Sequence, residues 1–312
     1  MTGAQDAPRP SRRAPRSRPL APALHATIAV HAAAPAACLA ACLAAPNLLP
    51  WIGAALLANH GVLTAAGMWP RSTLLGPNMR RLRPEAAARA ELALTFDDGP
   101  DPAVTPHVLD MLDRAGARAS FFCIGTAARA HPTLLRQIVS RGHRVENHSF
   151  THPNWFACLG PAGLRRQIGD AQAALADITG TAPAFFRAPM GLRNPLLDPV
   201  LAETSLRFTS WTRRAMDGLR GDPGRAYRRL TRGLAAGDIL LMHDGRCARS
   251  PSGAPVVLEI LPRLLLALQH AGLKAVSLPP GCAGPGASVL QGAALSADAV
   301  PAPSPSAQHA CE

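Results

Sequence analysis

The sequence predicts an α/β fold: a barrel-like domain of parallel strands and outer helices over residues 91–280, preceded by an apolar helical hairpin. Three observations predict it. From Glu91 to Pro280, short apolar runs alternate with longer amphipathic ones, the pattern of parallel strands with helices packed outside them. The alternation repeats in about seven units, enough to curl a sheet toward closure. From Pro19 to Pro70 there is not one Asp, Glu, Lys or Arg. Hydrophobic residues make up 48% of the 312 and charged residues 17%, so a sizeable core can form and a disordered or collagen-like chain is excluded.

The elements follow in order. Leu92–Phe96 reads as the first strand. Thr105 caps a helix with Pro106 at its first position, and Gly116 closes it. Ser120–Ile124 is the second strand. A helix runs from Pro132 to Arg141, is stopped by Gly142, and leads into a strand at His143–Glu146. Then come a helix at 161–178, a strand at Phe185–Phe186, a helix at 195–204 and a strand at Arg207–Trp211. The last units are a helix at 223–235, a strand at Asp238–Met242, a helix at 255–270 and a strand at Lys274–Val276.

The N-terminal region differs in kind. An Arg-rich flank at 1–18 precedes the uncharged stretch 19–70, which divides at the turn Pro46-Asn47-Leu48-Leu49-Pro50. Its arms, 23–45 and 51–69, are each long enough to cross a bilayer, which takes roughly 17–25 helical residues. The first arm is Ala-rich and contains His25, His31 and Pro35, so it is expected to insert the more weakly. The alternative is an Ala-rich helical pair packed on a soluble domain; a cleaved signal fits less well because the apolar run is too long. Residues 71–90 read as a linker and 281–312, unpatterned Ala, Pro, Ser and Gly, as a disordered tail.

The net charge of +12 is concentrated at the front: residues 1–90 hold ten arginines against two acids. Lys274 is the only lysine. An arginine excess gathered outside the α/β domain argues against a nucleic-acid partner. The seven cysteines are scattered, odd in number and without a C-x-x-C pair, which argues against a disulfide framework or a cysteine metal cluster.

Two motifs point to chemistry. Thr95-Phe96-Asp97-Asp98-Gly99-Pro100 puts two carboxylates at the end of the first strand, where a barrel builds its sites; adjacent buried acids need a cation. His148-Ser149-Phe150-Thr151-His152 follows the third strand, and histidines at i and i+4 on a helical turn reach one ion. Two nitrogens and one oxygen leave a coordination position open for water.

These segments resemble the first two motifs of the NodB-type polysaccharide deacetylases, carbohydrate esterase family 4. Arg187-Ala188-Pro189-Met190-Gly191, Trp211 to Asp217 and Leu241-Met242-His243 resemble the next three, in the family's order. The resemblance covers residues 91 to 280. It implies a distorted (β/α)7 barrel (the NodB homology domain) and metal-dependent removal of an acyl group from a sugar. By the same resemblance, Asp98, His148 and His152 bind one divalent ion, zinc by the character of the ligands. Asp97 is the general base and Arg187 holds it by a charge-assisted bond. His243 is the general acid, with Asp217 orienting it and raising its pKa. The N–H of Met190 helps stabilise the oxyanion, and Leu241 lines the pocket for the acetyl methyl.

Two departures stand out. Met190 occupies the motif's aromatic position, which removes an aromatic wall from the sugar groove. Arg214 and Gly218 stand where the fourth motif has Asp and Trp, so Arg213-Arg214 is either a solvated pair or a contact for an anionic group. The expected partner is an N-acetylated glycan or a lipid-linked amino sugar. The competing classes are a non-haem iron oxygenase, which also uses two His and one carboxylate, and a non-catalytic membrane protein with a degenerate site. Arginines on both sides of the apolar stretch favour a hairpin with both ends cytoplasmic at the inner membrane, against a single span that leaves the domain periplasmic.

Overall fold

A computed structural model describes residues 20–279 of the chain; the flank 1–18 and the tail 281–312 lie outside them. The uncharged stretch forms two helices, α1 (Pro22–Ala44) and α2 (Leu49–Met68), joined by a 3₁₀ turn at Pro46–Leu48. They pack side by side as a hairpin. Its seam is polar: the Thr27 hydroxyl donates to Asn59 Oδ1 at 3.2 Å, and His31 Nε2 lies 3.1 Å from His60 Nε2. The outward surface is apolar, with Leu43, Trp51 and Leu57 each at least 74% exposed. The first arm, expected to be the weaker, has the higher mean hydropathy, 1.8 against 1.3, because its many alanines outweigh its two histidines.

After α3 (Pro84–Ala88), the strands of the α/β domain are β1 (Glu91–Asp97), β2 (Ala119–Cys123), β3 (Arg144–Asn147), β4 (Phe185–Phe186), β5 (Arg207–Phe208), β6 (Arg213–Arg214), β7 (Ile239–His243) and β8 (Lys274–Val276); the seven expected strands are all present, the expected Arg207–Trp211 strand stops at Phe208, and β6 is an addition. All pairings are parallel, and the sheet runs β5-β4-β3-β2-β1-β7-β6 with β8 beside the start of β1. The outer layer contains α4 (Thr105–Arg114), α5 (Gly125–Ala130), α6 (Pro132–Ser140), α7 (Pro161–Thr179), α8 (Leu197–Glu203), α9 (Pro223–Thr231) and α10 (Val256–His270).

The period of two along β1 sorts its side chains between layers. Leu92, Leu94 and Phe96 join the core under α4, α6 and α10. Ala93 points the other way, into a smaller cluster with Phe122, Phe185, Trp211 and Leu241. By the same alternation Thr95 and Asp97 face the barrel interior, so the strand that builds the outer core also delivers a carboxylate inward.

The curled sheet is a half-barrel, open between β5 and β6. The segment read as a linker bridges that opening. Met79 N–H donates to Phe208 O, Ser210 N–H to Met79 O, and Leu82 N–H to Gly237 O. Arg81 adds an ion pair to Asp238 at 3.0 Å.

Candidate active site

The carboxyl ends of the strands meet around a cavity of about 210 Å³. Asp97, Asp98, His148, His152, Met190, Leu241 and His243 all line it. A larger cavity of about 710 Å³ beside Met111 and Leu273 contains none of them.

Asp97 ends β1 and is 3% exposed. Arg187, the residue after β4, reaches across the barrel to it: its Nη1 donates to Asp97 Oδ1 at 2.6 Å and to Thr95 Oγ1 at 2.9 Å. The guanidinium is fully buried, clamped over the Phe122 ring and donating to Ser210 O. A buried carboxylate needs such a partner, and a bidentate-capable cation fixed on both faces leaves it one orientation.

Asp98 takes the next step of the chain with φ at 73°, and its Oδ1 comes nearer to His148 Nε2, at 3.2 Å, than Asp97 Oδ2 does, at 3.9 Å. Asp98 Oδ1 lies 3.2 Å from both His148 Nε2 and His152 Nε2. The histidines do not sit on a helical turn as expected. They lie on a loop in which Ser149 and His152 are left-handed, with φ of 65° and 52°. The loop is held from below: Asn147 Oδ1 accepts from Ser149 N–H, Ser149 Oγ accepts from His152 N–H, and Gln167 Oε1 accepts from Phe150 and Thr151. Hydrogen bonding to Asn147 and Gln167 replaces helical spacing as the reason the rings converge.

This cluster fits a metal ion. The three ligand atoms lie within 4.8 Å of one another, and Asp98 Oδ1 is a buried oxygen without a hydrogen-bond partner. His148 Nδ1–H donates to Arg187 O at 2.8 Å, which fixes the tautomer that leaves Nε2 as a lone-pair donor. Burial resists ionisation of Asp98, but the facing imidazoles, His148 first, hold its carboxyl well below the usual range. Burial, then the neighbouring His148, pulls His152 down to about 4, so its imidazole is neutral, as a ligand must be.

The opposite wall is a separate unit. His243 ends β7 and is in register with Asp97 on the adjoining β1. Asp217, fully buried, accepts from His243 Nδ1 at 2.7 Å and from the His243 backbone N–H at 2.9 Å. Burial lowers the imidazole pKa, yet the Asp217 charge and hydrogen bond overcome it and raise the group to about 8. Gly218 lies flat under the ring, where an added Cβ would crowd it at 3.3 Å.

Met190 occupies a tight turn, Pro189–Gly191, with φ of 57°, and is 48% exposed at the rim. Leu241 is buried on the cavity floor. Trp211, buried in the interior cluster, also lines the cavity and packs against Gly191. Of the arginine pair, only Arg214 faces the cavity. Arg213 is bound to Asp238 Oδ2 at 2.7 Å and to the carbonyls of Arg232 and Gly233.

Sequence reasoning missed Arg246, Asn154 and Asp244. Arg246 and Asn154 line the cavity from loops, with no motif around them. Asp244 directly follows His243, and that adjacency was an available signal. It is buried against Gly99 and accepts from Thr105 Oγ1 at 2.6 Å. Thr105 is therefore not the helix cap expected of it; its hydroxyl braces the Asp97–Asp101 turn, also accepting from Asp101 N–H. Burial raises the Asp244 carboxyl to about 7.

The turn that carries Met190 is also docked on the hairpin. Arg193 N–H donates to Gly67 O at 3.1 Å, near the end of α2, and its guanidinium donates to Ser72 O. Gly67 is required there: a Cβ would lie 2.2 Å from Arg193 O.

Comparison with known proteins agrees with this geometry. The polysaccharide deacetylase family matches residues 85–209. A chitooligosaccharide deacetylase of a Bradyrhizobium is 32% identical over 208 residues, which cover 64% of this chain and 94% of that protein. The chain belongs to the polysaccharide deacetylase family. A peptidoglycan-N-acetylglucosamine deacetylase of Listeria monocytogenes is 35% identical over 161 residues, which are 52% of this chain but only 34% of that protein. A family 4 carbohydrate esterase of Streptomyces lividans, solved with acetate, superposes with a TM-score of 0.55 at 33% identity, over 61% of this chain and 93% of that one. The enzyme class of this family, carbohydrate deacetylase, is the one the five motifs suggested.

Proposed function

We propose that the protein is a zinc-dependent N-deacetylase of an amino sugar presented at a membrane. The observation that carries the reading is the juxtaposition in one cavity of a three-ligand cluster, a base and an acid. Asp98, His148 and His152 hold the ion, which when bound supplies Lewis-acid activation of water and of the amide carbonyl.

The remaining roles belong to the chain. Asp97, kept off the ion by its bond to Arg187, takes the proton of the attacking water. The N–H of Met190 donates to the oxygen that gains charge as the carbonyl is attacked. Leu241 accepts the methyl of the acetyl group. His243, protonated at neutral pH through Asp217, delivers a proton to the departing amine. Asp97 and His243 lie side by side on paired strands, so base and acid flank one bond. An iron oxygenase or a degenerate site leaves Asp97, Arg187, His243 and Asp217 without tasks.

The two apolar helices span the cytoplasmic membrane as a hairpin, and Arg71, Arg80, Arg81 and Arg83 at its base keep the domain on the cytoplasmic face. Docking of the Met190 turn on α2 then brings the cavity close to the bilayer, which favours a lipid-linked amino sugar over a distant polymer. Zinc-loaded protein should release acetate from an N-acetylglucosamine oligomer or a lipid-linked N-acetylamino sugar, seen by mass spectrometry as loss of one acetyl group. Intact substrates throughout such a panel would refute the activity. An alkaline phosphatase fused after residue 280 should be silent, and strong activity would put the domain outside the cytoplasm.

A further inference from the structure

The charges around the cavity do not balance. Asp97 is paired with Arg187 at 2.6 Å and Asp217 with His243 at 2.7 Å, and Asp98 faces the two metal-binding histidines. Two further arginines line the same cavity, and neither has an acidic partner among the described residues: Arg214 and Arg246.

Arg214 ends β6, in register with Leu241 on the cavity floor. Its guanidinium lies 5.2 Å over the Trp211 ring, and its Nε is buried with no hydrogen-bond partner. The contrast with Arg213 is informative, because that neighbour's guanidinium is consumed by Asp238 and two carbonyls. A buried N–H left without an acceptor beside a ligand cavity calls for an acceptor on the ligand.

Arg246 follows β7 and places Nη1 3.1 Å from His152 Nδ1. That contact is a hydrogen bond only if Nδ1 carries no proton. A histidine that binds an ion through Nε2 keeps its proton on Nδ1, so two donors would then face each other. That contact therefore does not satisfy the guanidinium when the ion is held, and Arg246 lines the cavity beside it.

We propose that Arg214 and Arg246 form an anion subsite, so that the favoured substrate carries a phosphoryl group close to its N-acetylamino sugar. The inference rests on the deacetylase reading for the identity of the sugar. The planar fork of each guanidinium matches an oxyanion, and a phosphoryl dianion can compensate two cations where a single carboxylate compensates one. A neutral chitin-like oligomer would leave both uncompensated. A glycolipid headgroup and a soluble sugar phosphate share this chemistry.

The test uses the zinc-loaded full chain with three substrates: N-acetylglucosamine 1-phosphate, N-acetylglucosamine joined through diphosphate to a short prenyl chain, and the neutral N-acetylglucosamine trimer. The phosphorylated substrates should be preferred in kcat/KM by roughly tenfold or more, the worth of one charge-assisted hydrogen bond. Arg214→Gln and Arg246→Gln, which keep the aliphatic stems in place, should each lower that preference, chiefly through KM. The prenyl substrate ahead of the sugar phosphate identifies the lipid source, and equality identifies the soluble one; both support the subsite. No preference for phosphate, or a preference unchanged in the double variant, overturns it.

Calorimetric binding of inorganic phosphate gives a readout free of turnover. The double variant should bind roughly tenfold more weakly than the zinc-loaded parent, and equal binding overturns the subsite. If no substrate loses acetyl, the deacetylase reading fails while this titration still decides the subsite.

Discussion

The two walls of the cavity solve the problem of buried charge in different ways. On one, Asp217 and His243 neutralise each other through two hydrogen bonds and form a complete unit. On the other, Asp97 has Arg187, but Asp98 has only two histidines whose ring nitrogens are better ligands than counter-ions, and its Oδ1 lacks a hydrogen bond. The first wall is finished by the chain alone. The second leaves a place that a cation fits. Substitutions on the metal side should therefore divide into those that lose the ion and those that spare it, and substitutions on the acid side should all spare it.

The largest effect should come from breaking the unfinished wall. His148→Ala/His152→Ala should abolish both zinc retention and turnover, since a single remaining carboxylate cannot hold the ion. Stoichiometric zinc in that variant, measured by mass spectrometry, would mean that the two histidines do not hold the ion. Next comes Asp97→Asn, which should keep zinc and lower kcat by about 10²-fold or more, because a positioned base contributes about 10²–10⁴. The reverse behaviour, with Asp97→Asn losing zinc and Asp98→Asn keeping it, would exchange the two roles.

The finished wall is sharpened by pH. As the proposed acid His243 works protonated, and with Asp217 raising its pKa to about 8, activity should fall as pH rises through that value. In Asp217→Asn the two largest causes that raise the imidazole, the Asp217 charge and hydrogen bond, are gone, while the charges of Asp97 and Asp98 still raise it and burial still lowers it. The basic limb of the pH–rate profile should move down by about one unit or more. An unmoved limb would assign Asp217 a purely structural role. The smallest effect is expected from reductant: among the described residues Cys38, Cys42, Cys123, Cys158 and Cys247 are all free thiols, so melting temperature and activity should not change. A drop of several degrees would reveal a disulfide elsewhere.

Seven of the eight strands were legible in the sequence because each carries its own local signal, a short run of mostly apolar residues set off by a helix with proline or glycine punctuation. The sequence was poor where the signal is non-local. Residues 79–82 look like a linker, yet Met79 and Leu82 close the barrel by bonding to Phe208 and Gly237, partners over a hundred residues away in sequence. β6 is two arginines long, too short for any periodicity to register. The site followed the same division. Asp97, Asp98, His148, His152, Arg187 and His243 occupy or closely follow strand ends and were identifiable there by motif. Arg246 and Asn154 come from loops, and only the folded chain brings them to the cavity. The shape of the histidine loop was misjudged because i, i+4 spacing suits a helix, whereas side chains of Asn147 and Gln167 impose a left-handed path.

The proposed metal site is completed by Asp98, and not by its neighbour Asp97. Crystals of the zinc-loaded protein, with data recorded on both sides of the zinc absorption edge, test it most directly. One anomalous peak per chain should appear within bonding distance of Asp98, His148 and His152, with Asp97 still bound to Arg187. A peak coordinated by Asp97, or one located away from the two histidines, would contradict it.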